Sequence, residues 1–268
     1  MPTLDEHMAL DFPGEITIHY DDDSDLGRAG QGLQSFPLMN VALRARKLEY
    51  WLMSPAEQVA LVFLLEHLRP KVAIEIGTRF GGSLQALAQF CDRVYSIDID
   101  PDVPKRLASK FPNVEFLTGR SDDLLPPLID RLQCEGTELS FALVDGDHST
   151  DGVRKDLDNL LRFRPTVPLY IVMHDSSNPV CREGLRRAKW AANPCVHAVE
   201  LDFVPGTVFR GKLWGGLALG ILLPHERSGR FEITARSELT LRSLRSQQTL
   251  GLLPRAARKV KRMLLGTH

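Results

Sequence analysis

The chain has 268 residues, of which 43% are hydrophobic and 25% are charged, and its formal net charge is −1. This composition allows one large domain with a full core, and the near-neutral charge argues against a dedicated nucleic-acid binder. The four cysteines form no CxxC pair and no disulfide-like framework, as is typical of buried thiols in a reducing compartment. The first residues lack the features of a secretory signal, and no apolar run is long enough to span a membrane. We therefore expect a cytoplasmic protein.

Charge and pattern divide the chain into three parts. Residues 1–50 begin with an acid-rich stretch, and we expect them to form an N-terminal extension that acts as a lid or a dimer contact. Residues 51–225 carry the recognisable core, and residues 226–268 form a basic C-terminal extension. Within that extension, residues 253–264 predict a basic amphipathic helix. Such a helix either packs on its own domain or on another subunit, or makes a peripheral contact with an anionic membrane.

The core alternates predicted helices and strands, as in a parallel α/β sheet. Residues 54–57 read Ser-Pro-Ala-Glu, a capping box with proline at the first helical position, and predict a helix over residues 55–68. A strand follows at residues 72–76, a second helix begins after Gly82, and a second strand spans residues 94–97. Short apolar runs that suit strands buried on both faces follow at residues 114–116, 141–144 and 169–173.

The end of the core differs from its beginning. Residues 197–204 and 216–223 are strand-like runs with no room for a full helix between them, so we expect an antiparallel pair. The predicted fold is therefore an α/β, Rossmann-like, doubly wound and mostly parallel seven-stranded sheet with an antiparallel last strand.

A glycine-rich segment, EIGTRFGG, lies where the first predicted strand turns into a helix. Glycines let the backbone approach a ligand closely and adopt positive φ. A dinucleotide-binding loop needs G-x-G-x-x-G for contact with a pyrophosphate, but Arg79 occupies the middle glycine position. S-adenosylmethionine (SAM) has no phosphate, and its ammonium group suits a nearby acid such as Glu75. The segment therefore favours SAM over a dinucleotide, with a purely structural turn as the alternative.

Two later strand ends strengthen this interpretation. Asp98 ends the second strand about 20 residues after Gly77, where an acid accepts hydrogen bonds from both ribose hydroxyls. Residues 118–122 follow the third strand and are placed for polar contacts at the adenine end. For one isolated acid, a solvated carboxylate at a strand end is the more common explanation. Three polar strand ends in the correct order favour a SAM site.

The segments EIGTRFGGS, YSIDIDP and FLTGRSDD resemble the successive SAM motifs of metal-dependent O-methyltransferases. That group includes catechol O-methyltransferase-like enzymes and the macrolide sugar O-methyltransferases, and the resemblance covers roughly residues 50–223. It implies the class I methyltransferase fold and is compatible with a homo-oligomer. It also implies that the loop with Glu75, Gly77, Thr78, Gly81 and Ser83 holds the methionine end of SAM, that Asp98 holds the ribose, and that Ser121 and Asp122 approach the adenine, with Asp145 nearby.

Two clusters of acids and histidines follow the fourth and fifth predicted strands. The fourth strand leads into Asp145 and His148, and the fifth leads into His174 and Asp175. Because the carboxyl ends of adjacent strands converge on one crevice, we expect the two clusters to face each other beside the methyl donor. Two aspartates and two histidines gathered there predict a divalent metal site.

The same resemblance assigns roles within this cluster. In macrolide sugar O-methyltransferases the aspartate of a D-x-x-H segment binds metal and the histidine is the proposed base, positions that match Asp145 and His148. The second metal cluster of that family is an acid pair, matched here by His174 and Asp175, so His174 replaces an acid. An imidazole ligand favours Mn²⁺ over Mg²⁺; alternatively, His174 only lines the pocket.

Other interpretations of this segment stay open. Asp147 or residues 149–151 can cap the following helix, and His148 can be a metal ligand, a substrate contact or a structural residue instead of a base.

The predicted function is SAM-dependent, metal-dependent O-methylation of a small-molecule or saccharide substrate: a sugar, a glycolipid or a glycosylated natural product. Metal binding lowers the pKa of a hydroxyl, which histidine can then deprotonate. Catechol-like phenols are less favoured, because aromatic residues make up only 7% of the chain. The alternatives are a metal-independent N- or O-methyltransferase and a non-catalytic SAM-fold partner protein; a Rossmann dehydrogenase is the weakest competitor.

Overall fold

The computed structural model describes residues 50–209 and 212–236. The predicted extension before residue 50 and the basic helix at residues 253–264 therefore lie outside the described residues. The helices in the described part are α1 (Pro55–Leu68), α2 (Gly82–Phe90), α3 (Val103–Leu107), α4 (Ser121–Cys134), α5 (Thr150–Leu160) and α6 (Pro179–Arg187). A 3₁₀ turn at Trp190–Ala192 follows α6.

The strands alternate with these helices through the first half of the described chain. They are β1 (Val72–Ile76), β2 (Arg93–Asp98), β3 (Val114–Thr118), β4 (Leu139–Val144), β5 (Leu169–His174), β6 (Val196–Val204), β7 (Thr207–Phe209), β8 (Lys212–Trp214), β9 (Leu217–Leu222) and β10 (Ile233–Thr234).

The main sheet has the strand order β10-β6-β9-β5-β4-β1-β2-β3. All neighbouring pairs are parallel except those of β9, which runs antiparallel to both β5 and β6. The predicted doubly wound sheet with an antiparallel strand is confirmed. The sheet has eight strands and not seven, because the two-residue β10 adds to the edge of β6. The small antiparallel pair β7–β8 forms a separate sheet between β6 and β9.

Helix α1 has the boundaries that its capping signals predict. Glu57 accepts a hydrogen bond from the Ser54 backbone N–H, and the Ser54 side chain accepts from the Glu57 N–H, so both halves of the capping box are formed. The helix ends where Arg69 adopts a left-handed φ of 45° and its N–H bonds to the Leu65 carbonyl. Leu61 and Leu65 are fully buried on the inner face.

Apolar side chains pack on both faces of the sheet. Along β1, Ile74 and Ile76 point into the cluster under α4 and α5, whereas Ala73 points into the cluster under α1 and α2. Each fully buried leucine or isoleucine stabilises the fold by roughly 2 kcal/mol. Covering both faces leaves the carboxyl ends of β1, β2, β4 and β5 at one shared edge, where polar side chains can meet.

No helix in the described residues combines the length and the apolar composition needed to cross a bilayer.

Candidate active site

A cavity of about 1080 Å³ opens at the carboxyl edge of the sheet. Its walls come from the segments that follow five successive strands and from the segment that leads into α1. They comprise residues 50–54 and 57, 76–80, 82–83, 97–100, 119–122, 145–149, 151–152, 155–156, 174–175 and 214–215. The cavity therefore lies where the sequence predicted SAM and a metal to bind.

The glycine loop after β1 has the backbone that its sequence requires. Gly77 and Gly81 have φ of 86° and 84°, and a Cβ added to Gly77 would overlap the carbonyl oxygen of Asp145. Arg79 also adopts a left-handed φ of 50°, at a cost of roughly 1–3 kcal/mol for a residue with a side chain. Arg79 thus has the backbone conformation of a glycine, at the position where the dinucleotide pattern has its middle glycine.

Asp98 holds this loop in place. Its Oδ2 atom accepts the N–H groups of Thr78 and Arg79, both at 2.8 Å, and its Oδ1 atom accepts the N–H of Asp100 at 2.8 Å. A carboxylate offers about four acceptor positions, so these bonds use most of them. Asp98 also lines the cavity. In this structure its hydrogen bonds hold the strained loop.

Glu75 and Gly81 support the loop from behind and do not line the cavity. Glu75 is fully buried and accepts the hydroxyls of Thr78 at 2.7 Å and Ser83 at 2.6 Å. Burial raises the pKa of its carboxyl to about 8. Each oxygen of Glu75 accepts one hydroxyl from the loop, and a direct contact of Glu75 with the cofactor stays a prediction. Gly81 is the N-cap of α2, whereas Thr78 and Ser83 do line the cavity.

Ser121 and Asp122 lie at the predicted far end of the cavity, at the start of α4. Asp122 forms two 2.9 Å hydrogen bonds with the guanidinium of Arg120. The Ser121 hydroxyl donates to Oδ1 of Asp156 at 2.6 Å.

Asp156 was not predicted as a site residue. It is buried in α5, its Oδ2 atom has no hydrogen-bond partner, and burial raises the pKa of its carboxyl to about 6. One signal was available in the sequence: position 156 falls on the same helical face as the buried Val153, Leu157 and Leu160.

The four predicted residues at the ends of β4 and β5 come together. Asp145, His148, His174 and Asp175 each offer one ligand atom, and these atoms all lie within 4.8 Å of one another. Oδ1 of Asp145 lies 2.9 Å from Nδ1 of His174 and 3.2 Å from Nε2 of His148. The Nε2 atom of His148 is also 3.3 Å from Oδ2 of Asp175. The convergence predicted from strand order is therefore present.

Asp175 is held by the loop that precedes β9. It has a left-handed φ of 58°, and its Oδ1 atom accepts the N–H of Gly215 at 2.7 Å. The N–H groups of Ser176 and Ser177 bond to the carbonyls of Gly216 and Gly215. These contacts leave Oδ2 of Asp175 facing the histidines.

The charges in the cluster stabilise one another. Burial opposes ionisation of Asp145, yet the charge of His174 and the hydrogen bonds from both histidines lower the pKa of its carboxyl. The hydrogen bond that His148 donates to Asp145 raises the pKa of His148 against the effect of burial. Burial lowers the pKa of His174, but the charge of Asp145, its hydrogen bond with the ring and the nearby Glu57 carboxylate raise it well above its usual value. Metal binding at these atoms must therefore displace protons.

Glu57 is a site residue that the sequence pattern did not reveal. The capping box explained it fully, yet its carboxylate is only 2% exposed and lines the cavity beside His174. Oε1 accepts the N–H of Gly216, and Oε2 accepts the N–H of Ser54 at 2.5 Å and lies 3.6 Å from Nε2 of His174. Burial opposes its ionisation, but the contacts with His174 and the two N–H groups lower the pKa of Glu57.

The capping alternatives around His148 are partly realised. Ser149 is the N-cap of α5 and accepts the N–H of Gly152 at 3.0 Å. Asp147 accepts the N–H of Ser149 at 2.8 Å and so shapes the turn that presents His148. The His148 side chain is 52% exposed, which leaves it accessible from the cavity.

The donor set of the cluster fits a divalent cation. Two carboxylates and two imidazoles with clustered ligand atoms suit Mn²⁺ or a similar transition metal. The buried Nε2 atom of His174 has no hydrogen-bond partner in this structure, and Oε2 of Glu57 lies 3.6 Å from it.

Four aromatic residues line the cavity, Tyr50, Trp51, Phe80 and Trp214, although aromatic residues are scarce in the chain. Tyr50, Phe80 and Trp214 line it with exposed fractions of 68%, 43% and 46%, and the Tyr50 and Phe80 rings meet edge to face at 5.8 Å. Overall composition therefore understated the aromatic character of the site.

Comparison with known proteins agrees with this geometry. A family model described as a methyltransferase domain matches residues 74–176. Rhamnosyl O-methyltransferases of Mycobacterium bovis and Mycobacterium tuberculosis are 31% identical over 121 residues, covering 42% of this chain and 49% of each relative. The chain thus spans about half the length of the curated relatives it matches.

A solved structure gives the same answer for the fold. The O-methyltransferase from Bacillus cereus in complex with SAH has a TM-score of 0.51 and 19% identity, over 74% of this chain and 96% of that chain. The region matched by the family model runs from β1 to the end of β5 and contains the glycine loop, Asp98 and the whole four-residue cluster. Residues 74–176 therefore match a methyltransferase domain, and the strand arrangement around them is the class I methyltransferase fold.

Proposed function

We propose that this chain is a metal-dependent O-methyltransferase that transfers the methyl group of SAM to a hydroxyl of a sugar, a glycolipid or a glycosylated natural product. The observation that carries the proposal is the clustering of Asp145, His148, His174 and Asp175 beside the glycine loop. A site that only binds SAM has no use for four converging acids and histidines.

SAM would lie along the wall formed by residues 77–83, Asp98, Ser121 and Asp122. When bound, it supplies an electrophilic methyl group on a sulfonium. The loop offers this ligand a rigid backbone, because Asp98 ties down two consecutive N–H groups. Rigid loops of this kind orient a donor before reaction, which lowers the entropic part of the barrier.

Asp145, His174 and Asp175 would hold the divalent metal, either Mn²⁺ or Mg²⁺. When bound, the metal would lower the pKa of the acceptor hydroxyl and fix its orientation. Of these three residues, Asp175 is the most rigidly placed, because Gly215 and the β9 loop fix its backbone and one oxygen. His174 makes the donor set softer than an all-carboxylate site, which favours Mn²⁺.

His148 would accept the proton of the acceptor hydroxyl. Its ring is half-exposed in the cavity, and Asp145 and Asp175 face its Nε2 atom. As the oxygen–methyl bond forms, the methyl–sulfur bond breaks, the hydroxyl proton passes to His148, and a methyl ether and a neutral thioether remain. Histidine suits this role because its unperturbed pKa lies near neutrality, and a cation bound beside Asp145 and Asp175 would offset the carboxylate charge that raises the pKa of His148.

The acceptor class has two supports. The relatives that match part of this chain are named as rhamnosyl O-methyltransferases, which favours a sugar hydroxyl. The exposed rings of Tyr50, Phe80 and Trp214 give the cavity apolar faces, and Tyr50 and Trp214 add one polar group each, which suits an amphipathic acceptor. The same rings also make a phenolic acceptor the competing candidate.

The test is methyl transfer from isotopically labelled SAM to a rhamnoside and to catechol, using protein stripped with EDTA and then supplied with Mn²⁺ or Mg²⁺. We expect transfer to the rhamnoside that EDTA abolishes and Mn²⁺ restores. Transfer that ignores EDTA would indicate a metal-independent methyltransferase, and transfer to catechol alone would replace the sugar with a phenol. Calorimetry with SAH gives an independent control, since failure to bind SAH would remove the cofactor assignment itself.

A further inference from the structure

His174 stands where the resembling family has a metal-binding acid, and its ring has two different environments. Nδ1 faces the cluster, 2.9 Å from Oδ1 of Asp145 and 3.9 Å from Oδ2 of Asp175. Nε2 faces away from the cluster, is buried, and has no hydrogen-bond partner. The carboxylate oxygen that faces it is Oε2 of Glu57, at 3.6 Å.

We propose that Glu57 is a positioning residue for the metal site: it keeps a proton on Nε2 of His174, so that a metal displaces the Nδ1 proton that faces Asp145 and binds the Nδ1 lone pair. This inference rests on the proposed metal-dependent function. A histidine ligand in proteins commonly donates its other ring N–H to a carboxylate, which fixes the tautomer and makes the ligand nitrogen more basic. Glu57 would fill that place without touching the metal.

Glu57 is built into the fold firmly enough for this role. One oxygen accepts the N–H of Gly216 and the other accepts the N–H of Ser54, so the carboxylate cannot rotate away. A Cβ added to Gly215 would collide with Oε1 of Glu57. The backbone before β9 therefore closes directly around this side chain, which explains the two consecutive glycines with φ of 69° and 86°.

The charge of the site supports the same role. Replacing an acid by His174 removes one negative charge from the expected ligand set, and Glu57 returns one negative charge on the far side of the ring. Glu57, His174 and Asp145 then form a line in which the imidazole lies between two carboxylates. A buried carboxylate needs such a cationic or proton-donating neighbour to offset its desolvation.

The substitution Glu57→Gln tests the proposal, because glutamine is also accepted at this position of a capping box. We expect Mn²⁺ affinity, measured by calorimetry or by the Mn²⁺ electron paramagnetic resonance signal, to fall about 10- to 100-fold. The matched control is Glu66→Gln, which removes the same charge from an exposed position of the same helix. It should leave Mn²⁺ affinity unchanged.

The ¹⁵N chemical shifts of the two ring nitrogens of His174 report which nitrogen is protonated. A purely structural role of Glu57 would leave these shifts unchanged in Glu57→Gln. With Zn²⁺ as a diamagnetic probe, the wild type should show a protonated Nε2 and a metal-bound Nδ1, and Glu57→Gln should lose this single state. A wild type with the proton on Nδ1 would overturn the inference even if Glu57→Gln fails to fold.

The outcomes also separate this inference from the proposed function. A wild type that binds neither Mn²⁺ nor Zn²⁺ would remove the metal-dependent function together with the inference. A wild type that binds metal, with Glu57→Gln binding it equally well and in the same tautomer, would remove the role of Glu57 alone.

Discussion

Nδ1 of His174 lies 2.9 Å from Oδ1 of Asp145, and the two residues come from the ends of neighbouring parallel strands. Val144 and Met173, the residues just before them, are register partners in the pair β4–β5. The contact is thus fixed by sheet register and not by loop conformation. A metal site built on two paired strand ends is positioned more precisely than one carried by loops.

Asp145→Ala should abolish metal binding but preserve cofactor binding. Asp145 contacts both histidines, and its removal takes away a ligand and the charge that orients them. We expect metal affinity to fall by at least about 100-fold, because losing a residue that only supports a metal ligand already costs about 10- to 100-fold. Turnover should be lost as well. Calorimetry with Mn²⁺ and with SAH measures the two affinities separately. Asp147→Asn, in the same loop, is the control for metal binding, and normal turnover in Asp145→Ala would contradict the metal mechanism.

His148→Gln should reduce kcat while leaving the affinities for metal and SAH close to those of the wild type. Glutamine fills a similar space and can still form hydrogen bonds, but it cannot take up the hydroxyl proton. The expected loss is about 100- to 10,000-fold in kcat. Steady-state kinetics with the preferred acceptor, at saturating Mn²⁺, gives the number. Full activity in this variant would exclude His148 as the base and leave it as a ligand or a substrate contact.

Gly77→Ala should destabilise the protein and prevent SAH binding. Its Cβ would overlap the backbone of Asp145, in addition to the strain of a left-handed alanine. The control is Gly136→Ala, because Gly136 also has positive φ, at 64°, but a Cβ there meets nothing within 4 Å. Urea unfolding should show a larger loss for Gly77→Ala by at least about 1 kcal/mol. Equal losses would mean that the close approach to Asp145 is not tight in solution.

Asp156 should make the free energy of unfolding depend on pH. Burial raises the pKa of its carboxyl from 3.8 to about 6, so the folded state holds the proton more tightly than the unfolded state. The stabilisation by protonated Asp156 is fully present below pH 3.8 and is lost as the pH rises through about 6. This loss lowers the free energy of unfolding by an amount on the order of 2–3 kcal/mol. Asp156→Asn should therefore be more stable than the wild type at pH 7.5, with the difference shrinking as the pH falls towards 4.

Urea unfolding of both proteins from pH 4 to pH 8 measures this difference, and other titrating groups cancel in the comparison. Asp123→Asn, which removes an exposed carboxylate from the neighbouring helix, serves as the control and should show no such trend. A stability difference between Asp156→Asn and the wild type that stays constant over this range would contradict the prediction.

Much of the fold was predictable because its signals are local. The capping box at Ser54 and Glu57 gave the boundaries of α1, and short apolar runs gave every strand of the parallel half. The convergence of Asp145 with Asp175 followed from one topological rule, that neighbouring parallel strands end at one edge. The two-residue β10 has no such signal, because its pairing depends on the neighbouring β6.

The roles of individual polar residues were harder to predict. Glu57 already had a local explanation as a cap, so nothing in the sequence pointed to its contact with His174 about 120 residues later. Glu75 and Asp98 looked like ligand contacts, but they also satisfy the strained loop that they border. A sequence pattern shows which residue type lies at a strand end. Whether the oxygen atoms of that residue bind protein groups or a ligand depends on three-dimensional contacts.

The position of β9 between β5 and β6 has a consequence for how the cavity could change. Strand β9 pairs with both β5 and β6. Just before it, the N–H groups of Gly215 and Gly216 bond to the carboxylates of Asp175 and Glu57 and hold them in place. The β7–β8 hairpin lies just upstream and forms no part of the main sheet, yet it carries Trp214 to the cavity. The β7–β8 hairpin could therefore change in length or sequence, and so reshape this part of the cavity, while the contacts of Gly215 and Gly216 with Asp175 and Glu57 stay in place.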